Sequence, residues 1–404
     1  MTDVSFSPNR AGLLAALEAL LEPPSCRVDD ELDESLPEAG IGEIETLGLL
    51  APLIIGGAQA LGSKTAFAHM DPPTPWITWA TTQWNAALNQ NLLHPDVAPV
   101  ARAIEERVIQ WLVPYFGMSG GHMTPGSTIA NLTALWAARE LQGIRRVVAS
   151  KAAHLSIAKA AHILGLEMLV TETNSKGEVD YTQLPEDLAD SALVLTAGTT
   201  SAGAIDDMTL VGRAAWTHVD AAWAGPLRFS NAYSSRLSGI DAADSVSISA
   251  HKWLFQPKES GLVLFKDAAA AHEAVSFGGA YLAVPNVGLL GSHGANAVPL
   301  LATLLSWGRA GLESRIDATM ALSNQLFEYL GARPEVQLYA PNASGVILWR
   351  AGDGSDTKTI FERLPVGSAS ITSVAEQDWI RHVPANPNAE IELLTNAINQ
   401  ALCE

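Results

Sequence analysis

The sequence predicts an α/β protein with a mostly parallel sheet flanked by helices, a helical segment before the sheet and a smaller α+β domain after it. Between about residues 120 and 266, short β-rich runs alternate with helical stretches, which is typical of a parallel sheet covered on both faces. From about residue 300, a long helical stretch precedes several strand-like runs, so helix and strand segregate there. The 404 residues, 48% of them hydrophobic, are enough to bury a large core.

The N-terminal region is predicted to contain both helical and extended segments. Residues 9–22 have the apolar spacing of an amphipathic helix, and residues 23–45 are acidic and rich in proline. Three prolines exclude a helix at 69–76, because proline lacks a backbone donor and fixes φ. Helical patterning resumes at 77–92 and at 97–116.

The later elements follow in order along the chain. The β-rich runs are predicted at 145–149, 168–172, 192–196, 216–220, 245–249 and 261–265. Helical stretches lie between several of them, at 127–142, 153–164 and 205–214. In the last hundred residues, helices at 297–331 and 388–402 enclose strands at 337–340, 345–350, 369–374 and 379–383. We therefore expect three parts, residues 1–70, 71–299 and 300–404.

Charge and composition argue against several classes of function. Lys and Arg total 24 against 43 Asp and Glu, a net charge of -19, so neither nucleic acid nor an anionic membrane is an expected partner. Cys26 and Cys403 are too few for a disulfide framework, which favours a reduced, cytoplasmic protein. The first residues lack a signal-peptide pattern, and the apolar stretch Leu47–Ala60 is too short to span a bilayer. The ten histidines form no HxxxH pair, so no metal site is expected.

Two predicted strands end in groups that pyridoxal phosphate (PLP) chemistry requires. Asp220 closes the run at 216–220, and Lys252 follows the run at 245–249 within Ser-Ile-Ser-Ala-His-Lys-Trp-Leu. A lysine amine can form a Schiff base with the cofactor aldehyde, and a carboxylate can hold the pyridine nitrogen protonated. Since the carboxyl ends of parallel strands share one edge of the sheet, both groups are predicted to face the same ligand.

Three further segments suit the same ligand. Gly126, Ser127 and Thr128 precede a helix whose free N–H groups favour a phosphate, although a plain Ser/Thr helix cap explains this fragment as well. His154 follows a strand and is either a stacking partner for a flat ring or a structural histidine. Thr200 lies in a glycine-containing loop after another strand, where the backbone can approach a ligand closely.

The chain resembles the group II PLP-dependent amino acid decarboxylases, which have fold type I, the aspartate aminotransferase-like fold. The resemblance runs from about Ala66 to Leu394, and its most specific part is His-Val-Asp-Ala-Ala-Trp-Ala-Gly followed by His-Lys-Trp. It implies a seven-stranded, mostly parallel sheet, PLP as the cofactor, and decarboxylation of an L-amino acid to a primary amine and carbon dioxide. It also implies a homodimer with active sites shared across the interface, where helices 9–22 and 77–116 are expected.

The resemblance implies a role for each site residue. Lys252 would hold PLP as a Schiff base, Asp220 would pair with the pyridinium nitrogen, and Ala222 and His154 would pack against opposite faces of the ring. Tyr281, 29 residues after the lysine, would protonate the carbanion that remains when carbon dioxide leaves. The expected cofactor-binding residues are Gly126, Ser127, Thr128, His154, Thr200, Asp220, Ala222, Ser249, His251 and Lys252.

The substrate side of the site is less determined. Asp71 would either contact a distal amine or cap a turn, and Arg381 would either contact a carboxylate or form a structural ion pair. Ser127 and Ile129 stand where relatives have a second glycine and a glutamate, and residues 291–294 lack the basic side chains of many relatives. These departures leave the identity of the substrate open.

Other readings of the sequence remain. Cleavage of a different bond to Cα, as in a carbon–carbon lyase or an aldolase, is compatible with the same cofactor. Residues 117–121 match the GxSxG pattern of serine hydrolases, which requires a strand before Ser119 and a helix directly after it. A protein that keeps the fold without catalysis is disfavoured, because Lys252 and Asp220 are both present.

Overall fold

The computed structural model describes residues 7–25, 32, 35–352 and 354–403, so Cys26 lies outside the described residues. The chain divides into two compact units, Met1–Ala60 and Leu61–Glu404. The first unit contains helices α1 (Arg10–Leu21) and α2 (Glu43–Ile54), which contact each other. Asn9 caps α1, because its side chain accepts a hydrogen bond from the Gly12 backbone N–H at 3.1 Å. The helix predicted at 9–22 is therefore confirmed.

The second unit is built on a seven-stranded sheet. Its strands are β1 (Gly120–Thr124), β2 (Arg146–Ser150), β3 (Glu167–Thr171), β4 (Ser191–Thr196), β5 (Trp216–Asp220), β6 (Ser245–Ile248) and β7 (Gly261–Phe265). Their order in space is β1-β7-β6-β5-β4-β2-β3. Strand β7 runs antiparallel to both of its neighbours, whereas the other pairs are parallel. The mostly parallel, seven-stranded sheet is confirmed.

The composition of the strands explains which of them the sequence predicts. Strands β4 and β7 are apolar runs that are buried along their whole length, as expected for strands covered on both faces. Strand β1 was not predicted, because it contains Gly120 and Gly121 and no run of β-branched residues. A Cβ at Gly121 would lie 2.1 Å from the Val263 carbonyl oxygen, so glycine permits the close pairing of β1 with β7.

Helices cover the sheets of this unit. They are α3 (Trp76–Leu88), α4 (Pro99–Leu112), α5 (Ser127–Gln142), α6 (Leu155–Leu164), α7 (Ala268–Ala274), α8 (Ala297–Gly331), α9 (Thr357–Glu362) and α10 (Ile391–Cys403). Helix α8 is interrupted at Gly308, whose φ of 60° and ψ of -177° are not helical. No helix in the described ranges combines the length and the apolar content that crossing a bilayer requires.

The helix predicted at 205–214 is wrong. The segment contains a three-residue 3-10 turn, Met208–Leu210, in place of a helix. The side chain of Asp206 accepts the backbone N–H groups of Val179 and Thr196 at 2.6 and 2.7 Å. These bonds hold the segment against the end of β4, so tertiary contacts override the local helical pattern.

A smaller antiparallel sheet follows α8. Ahead of α8, β8 (Ser276–Phe277) and β9 (Asn286–Val287) pair in a short hairpin. The smaller sheet contains β10 (Val336–Leu338), β11 (Ile347–Ala351), β12 (Ser370–Val374) and β13 (Gln377–His382), in the order β10-β11-β13-β12. Trp349 and Ile380 of this sheet pack with Leu330 of α8 and Leu394 of α10. The smaller α+β part is confirmed, and the division of the chain at residues 70 and 299 stays a prediction.

Candidate active site

A cavity of about 280 Å³ lies at the carboxyl edge of the large sheet. Strands β1, β2, β4, β5 and β6 all end there, and the residues that follow them form its wall. Ligands of open α/β sheets bind at this edge. The ten residues predicted to bind the cofactor all line the cavity: Gly126, Ser127, Thr128, His154, Thr200, Asp220, Ala222, Ser249, His251 and Lys252. Lys252 and Asp220 therefore face the same space.

The part of the cavity next to α5 has the features of a phosphate site. A Cβ at Gly126, whose φ is +147°, would lie 3.2 Å from Cε1 of His251, so glycine lets the two segments approach. The hydroxyl oxygens of Ser127 and Ser249 are hydrogen-bonded at 2.7 Å. The buried Nδ1 of His251 has no partner, and the first N–H groups of a helix have no intrahelical acceptor. A phosphate fits these groups at the positive end of the helix dipole.

Asp220 is held in one orientation at the end of β5. Its side chain is buried, and Oδ2 accepts a hydrogen bond from Nδ2 of Asn131 at 2.9 Å. Oδ1 accepts the backbone N–H of Ala222 at 3.1 Å. Hydrogen bonds to an ionised acceptor are stronger than those between neutral groups, so the two donors fix the carboxylate. A fixed carboxylate fits the pyridine nitrogen of PLP, which it would keep protonated.

His154 presents a neutral ring to the cavity. It is the N-cap of α6, where its Nδ1 accepts the backbone N–H of Ser156 at 3.2 Å. Burial lowers the pKa of His154, although the charge of Asp220 acts in the opposite direction. The imidazole is therefore neutral near pH 7. A flat, neutral ring of this kind fits stacking on the cofactor.

Lys252 reaches the cavity from the turn after β6. Burial lowers the pKa of Lys252, although the charges of Asp220 and Asp71 raise it. The lowered pKa increases the share of neutral, nucleophilic amine. The next residue, Trp253, stacks on Trp223 with ring centroids 4.4 Å apart. This stack joins the chain segment of Lys252 to that of Asp220, and so helps to set their relative position.

Tyr281 does not line the cavity of its own chain. It lies in the loop between β8 and β9, where 73% of its surface is exposed. Its ring has an edge-to-face contact with His94, with centroids 6.4 Å apart. The structure of one chain therefore does not bring Tyr281 together with Lys252 and Asp220.

Asp71 and Arg381 lie beside the cavity and not in its wall. Asp71 forms a salt bridge with Lys258. Burial raises the pKa of Asp71, but the hydrogen bond and charge of Lys258, together with other nearby positive charges, give a net lowering. Arg381 is buried, and it donates to the Thr200 carbonyl oxygen at 3.0 Å. Burial lowers the pKa of Arg381 to about 10, with Asp71 acting in the opposite direction. Neither the predicted turn cap at Asp71 nor an ion pair of Arg381 is seen in the described chain.

Sequence reasoning missed several residues of the site. Ile129, Thr196 and Gly198 also line the cavity, and Asn131 contacts Asp220 from behind it. The signal for Asn131 was available: a fully buried amide lies one turn into a largely apolar helix and must find partners there. The pairing of Lys258 with Asp71 joins residues that are distant in sequence, so no local pattern indicates it.

The serine-hydrolase reading does not fit the structure. Ser119 precedes β1, and α5 begins at Ser127, so no strand-turn-helix elbow forms around the serine. The Ser119 hydroxyl accepts the backbone N–H of Ala268 at 2.9 Å. Across the residues that the structure describes, no group of three His, Cys, Asp or Glu side chains has the arrangement of a metal site.

Comparisons with known proteins identify the family of the chain. The family model described as the pyridoxal-dependent decarboxylase conserved domain matches residues 30–351. L-2,4-diaminobutyrate decarboxylase of Rhizobium meliloti (strain 1021) is 30% identical over 385 residues, which is 86% of this chain and 77% of that protein. Aspartate 1-decarboxylase of Aliivibrio fischeri (strain ATCC 700601 / ES114) is 30% identical over 302 residues, 61% of this chain and 55% of that protein.

A solved structure shares the fold. It is the glutamate decarboxylase domain of diaminobutyrate-pyruvate transaminase and L-2,4-diaminobutyrate decarboxylase from Vibrio parahaemolyticus. The two chains superpose with a TM-score of 0.83 at 24% sequence identity, over 97% of this chain and 94% of that one. The fold type I architecture expected from the sequence is thereby confirmed.

Proposed function

Since the chain belongs to the pyridoxal-dependent decarboxylase family and is a PLP-dependent amino acid decarboxylase, we propose that it acts through Lys252 and Asp220 on an amino acid with a short, charged side chain. The observation that supports these two roles is the single cavity that both residues line. L-2,4-diaminobutyrate is the first candidate substrate, and L-aspartate is the second.

Different residues around the cavity would hold different parts of the cofactor. When bound, PLP supplies an aldehyde that captures amines and a protonated ring that accepts electrons from the substrate Cα. Lys252 would provide the amine that retains the cofactor. Ser127, Ser249 and the start of α5 would hold the phosphate, while Asp220 would keep a proton on the ring nitrogen. His154 would cover a face of the ring and exclude water from it.

The charges beside the cavity support the choice of substrate class. Asp71 lies close enough to Lys252 for its charge to raise the pKa of the lysine, and this proximity supports a substrate side chain directed towards Asp71. A distal ammonium group would pair with Asp71 in place of Lys258. A distal carboxylate would instead leave that pair intact and contact Lys258 or Arg381. The presence of these two cations beside the cavity favours aspartate as the second candidate.

Opposite charge substitutions should distinguish the two candidates. If the substrate has a distal ammonium group, Asp71→Asn is expected to raise KM about tenfold, because the carboxylate that would pair with the ammonium group is lost. Lys258→Gln is expected to lower KM, because Lys258 no longer competes for Asp71. If the distal group is a carboxylate, Lys258→Gln raises KM instead. The measurement is carbon dioxide release from a panel of L-amino acids, with mass spectrometry of the products. Product without carbon dioxide would indicate cleavage of a different bond to Cα, as in a carbon–carbon lyase.

A matched control is available at Lys358, which is as exposed as Lys258 and pairs with Asp378. Lys358→Gln removes one surface charge without changing the cavity, so KM should stay within about twofold of the wild-type value. If, for every substrate, KM were the same in Asp71→Asn, Lys258→Gln and the wild-type enzyme, the substrate side chain would not lie near this pair.

We further propose a homodimer in which Tyr281 acts in the cavity of the partner subunit. The proposal is supported by the exposure of Tyr281 outside its own cavity, and by exposed apolar side chains on α3 and α4. Trp76, Trp84 and Val100 are 69%, 62% and 68% exposed. Tryptophan is enriched at protein–protein interfaces, so these exposed side chains support an interface that includes α3 and α4. The cytoplasmic location expected from the cysteine content stays a prediction.

Mixed dimers test this arrangement. When Lys252→Ala and Tyr281→Phe chains are co-expressed, half of the dimers are hybrids, and each hybrid contains one site with Lys252 and the partner's tyrosine. About a quarter of the wild-type amine formation is expected to return, although each parent alone is inactive or diverted. Co-expression of Lys252→Ala and Asp220→Ala chains is the control. Each change damages the cavity of the chain that carries it, so no hybrid contains a complete site. Amine formation no higher than the sum of the parents would place Tyr281 outside the partner's site.

A further inference from the structure

Asn131 is a fully buried residue of α5 that uses all of its hydrogen-bonding capacity on groups around the cavity. Its Nδ2 donates to Oδ2 of Asp220 and to Oγ of Ser156, both at 2.9 Å. Its Oδ1 accepts from Nε2 of His218 at 2.9 Å and from Oγ of Ser247 at 2.6 Å. A side-chain amide has two donors and two acceptor positions, so every position is filled.

The direction of each proton in this network follows from Asp220. An ionised carboxylate only accepts, so the amide nitrogen of Asn131 must face Asp220 and the amide oxygen must face His218. His218 then donates through Nε2. At its other nitrogen, the Trp216 indole donates to Ser245 Oγ at 2.9 Å, which leaves the serine proton for Nδ1 of His218 at 2.9 Å. Burial lowers the pKa of His218 to about 4, so the ring has the single proton that this pattern requires.

The same amide helps to set the tautomer of His154. Because Ser156 Oγ accepts from Asn131, the hydroxyl proton points to Nδ1 of His154, 2.8 Å away. The backbone N–H of Ser156 donates to the same nitrogen. With two donors directed at Nδ1, the proton of the neutral ring lies on Nε2.

We propose that Asn131 is the positioning residue that fixes both the carboxylate of Asp220 and the tautomer of His154, the two groups assigned to the cofactor ring. The inference rests on the proposed pairing of Asp220 with the ring nitrogen. Asn131 touches neither cofactor nor substrate and acts through these partners. A buried network whose members are all satisfied holds its groups more firmly than separate bonds would.

The test is Asn131→Asp, which preserves the shape of the side chain and replaces the donor with a titratable oxygen. When protonated, the introduced carboxyl can still donate to Asp220; when ionised, it repels Asp220. We expect kcat of this variant to fall about 10- to 100-fold as the pH rises through the neutral range, with KM changed less than threefold. The visible absorption of bound PLP should titrate over the same pH range, whereas the wild-type spectrum should not.

Two further measurements separate positioning from folding and from the proposed function. In cofactor-free protein labelled with ¹⁵N-histidine, NMR should show the Nε2–H tautomer for His154 and His218. In Asn131→Asp at high pH the signal of His154 should change, whereas His218 should keep its tautomer, because the introduced carboxylate still accepts from its Nε2. Ser156→Ala is the matched control, since it removes the branch to His154 and keeps the bond from Asn131 to Asp220. Its kcat should therefore show no new pH dependence.

A pH profile of Asn131→Asp that is parallel to the wild-type profile, or an unchanged signal of His154, would overturn the assignment. If the wild-type protein formed no product, the proposed function would fail while the tautomer measurement in the cofactor-free protein still decided the role of Asn131. Thermal melting of each variant shows whether it is folded.

Discussion

Replacement of Lys252 with alanine is expected to abolish decarboxylation, with a fall in kcat of at least about 10⁴-fold. Lys252 is the lysine that lines the cavity, and its lowered pKa makes its amine available for attachment to the cofactor. Without it, PLP would be held by non-covalent contacts alone, and the product amine would have no protein amine to displace it. Carbon dioxide release and the visible spectrum of the reconstituted protein measure the loss.

Chemical reduction locates the attachment directly. Borohydride treatment of the wild-type protein should leave the cofactor on the peptide that contains Lys252, as seen by mass spectrometry. Lys258→Ala is the control, because Lys258 is the neighbouring lysine whose charge acts on Lys252. That variant should keep the modified Lys252 peptide. Active Lys252→Ala protein with the cofactor attached to another lysine would refute the assignment.

The elements that the sequence predicted best are those whose signal is local. Strands β4 and β7 are largely apolar runs that are buried along their whole length, so their composition alone indicates them. Strand β1 depends on close contact with β7, and glycine at residue 121 is explained only by the backbone that it meets there. The wrong helix at 205–214 has the same cause, because the bonds of Asp206 to distant backbone groups decide that segment.

The same distinction between local signals and long-range contacts applies to the site. Asp220, Ser249 and Lys252 could be placed together because the ends of neighbouring parallel strands meet at one edge. Their supporting contacts could not be predicted: Asn131 meets Asp220 across 89 positions of sequence, and Lys258 meets Asp71 across 187. Tyr281 shows a further limit: it does not line the cavity of its own chain, and the proposed role in a partner's cavity has no signal in the structure of one chain.

Asp220→Ala should stop turnover while the cofactor remains attached to Lys252. The buried carboxylate is the group placed to keep the ring nitrogen protonated, and a ring without that proton accepts electrons poorly. We expect kcat to fall at least about 10³-fold, which corresponds to about 4 kcal/mol of lost transition-state stabilisation. The variant should also lose about 1–3 kcal/mol of stability, because Nδ2 of Asn131 and the N–H of Ala222 are left without their acceptor. Stopped-flow spectra and steady-state assays at saturating PLP provide the measurement.

The controls separate charge from packing. Asp220→Asn has the same shape but no charge, so it should be nearly as inactive as Asp220→Ala, while Asp220→Glu should recover part of the activity because it restores an anion. Asp206→Asn is the stability control: Asp206 is equally buried and accepts two backbone N–H groups, yet it does not line the cavity. It should lower the melting temperature and leave kcat of the folded fraction unchanged. If Asp220→Asn kept more than about a tenth of the wild-type kcat, the ring nitrogen would not depend on this carboxylate for its proton.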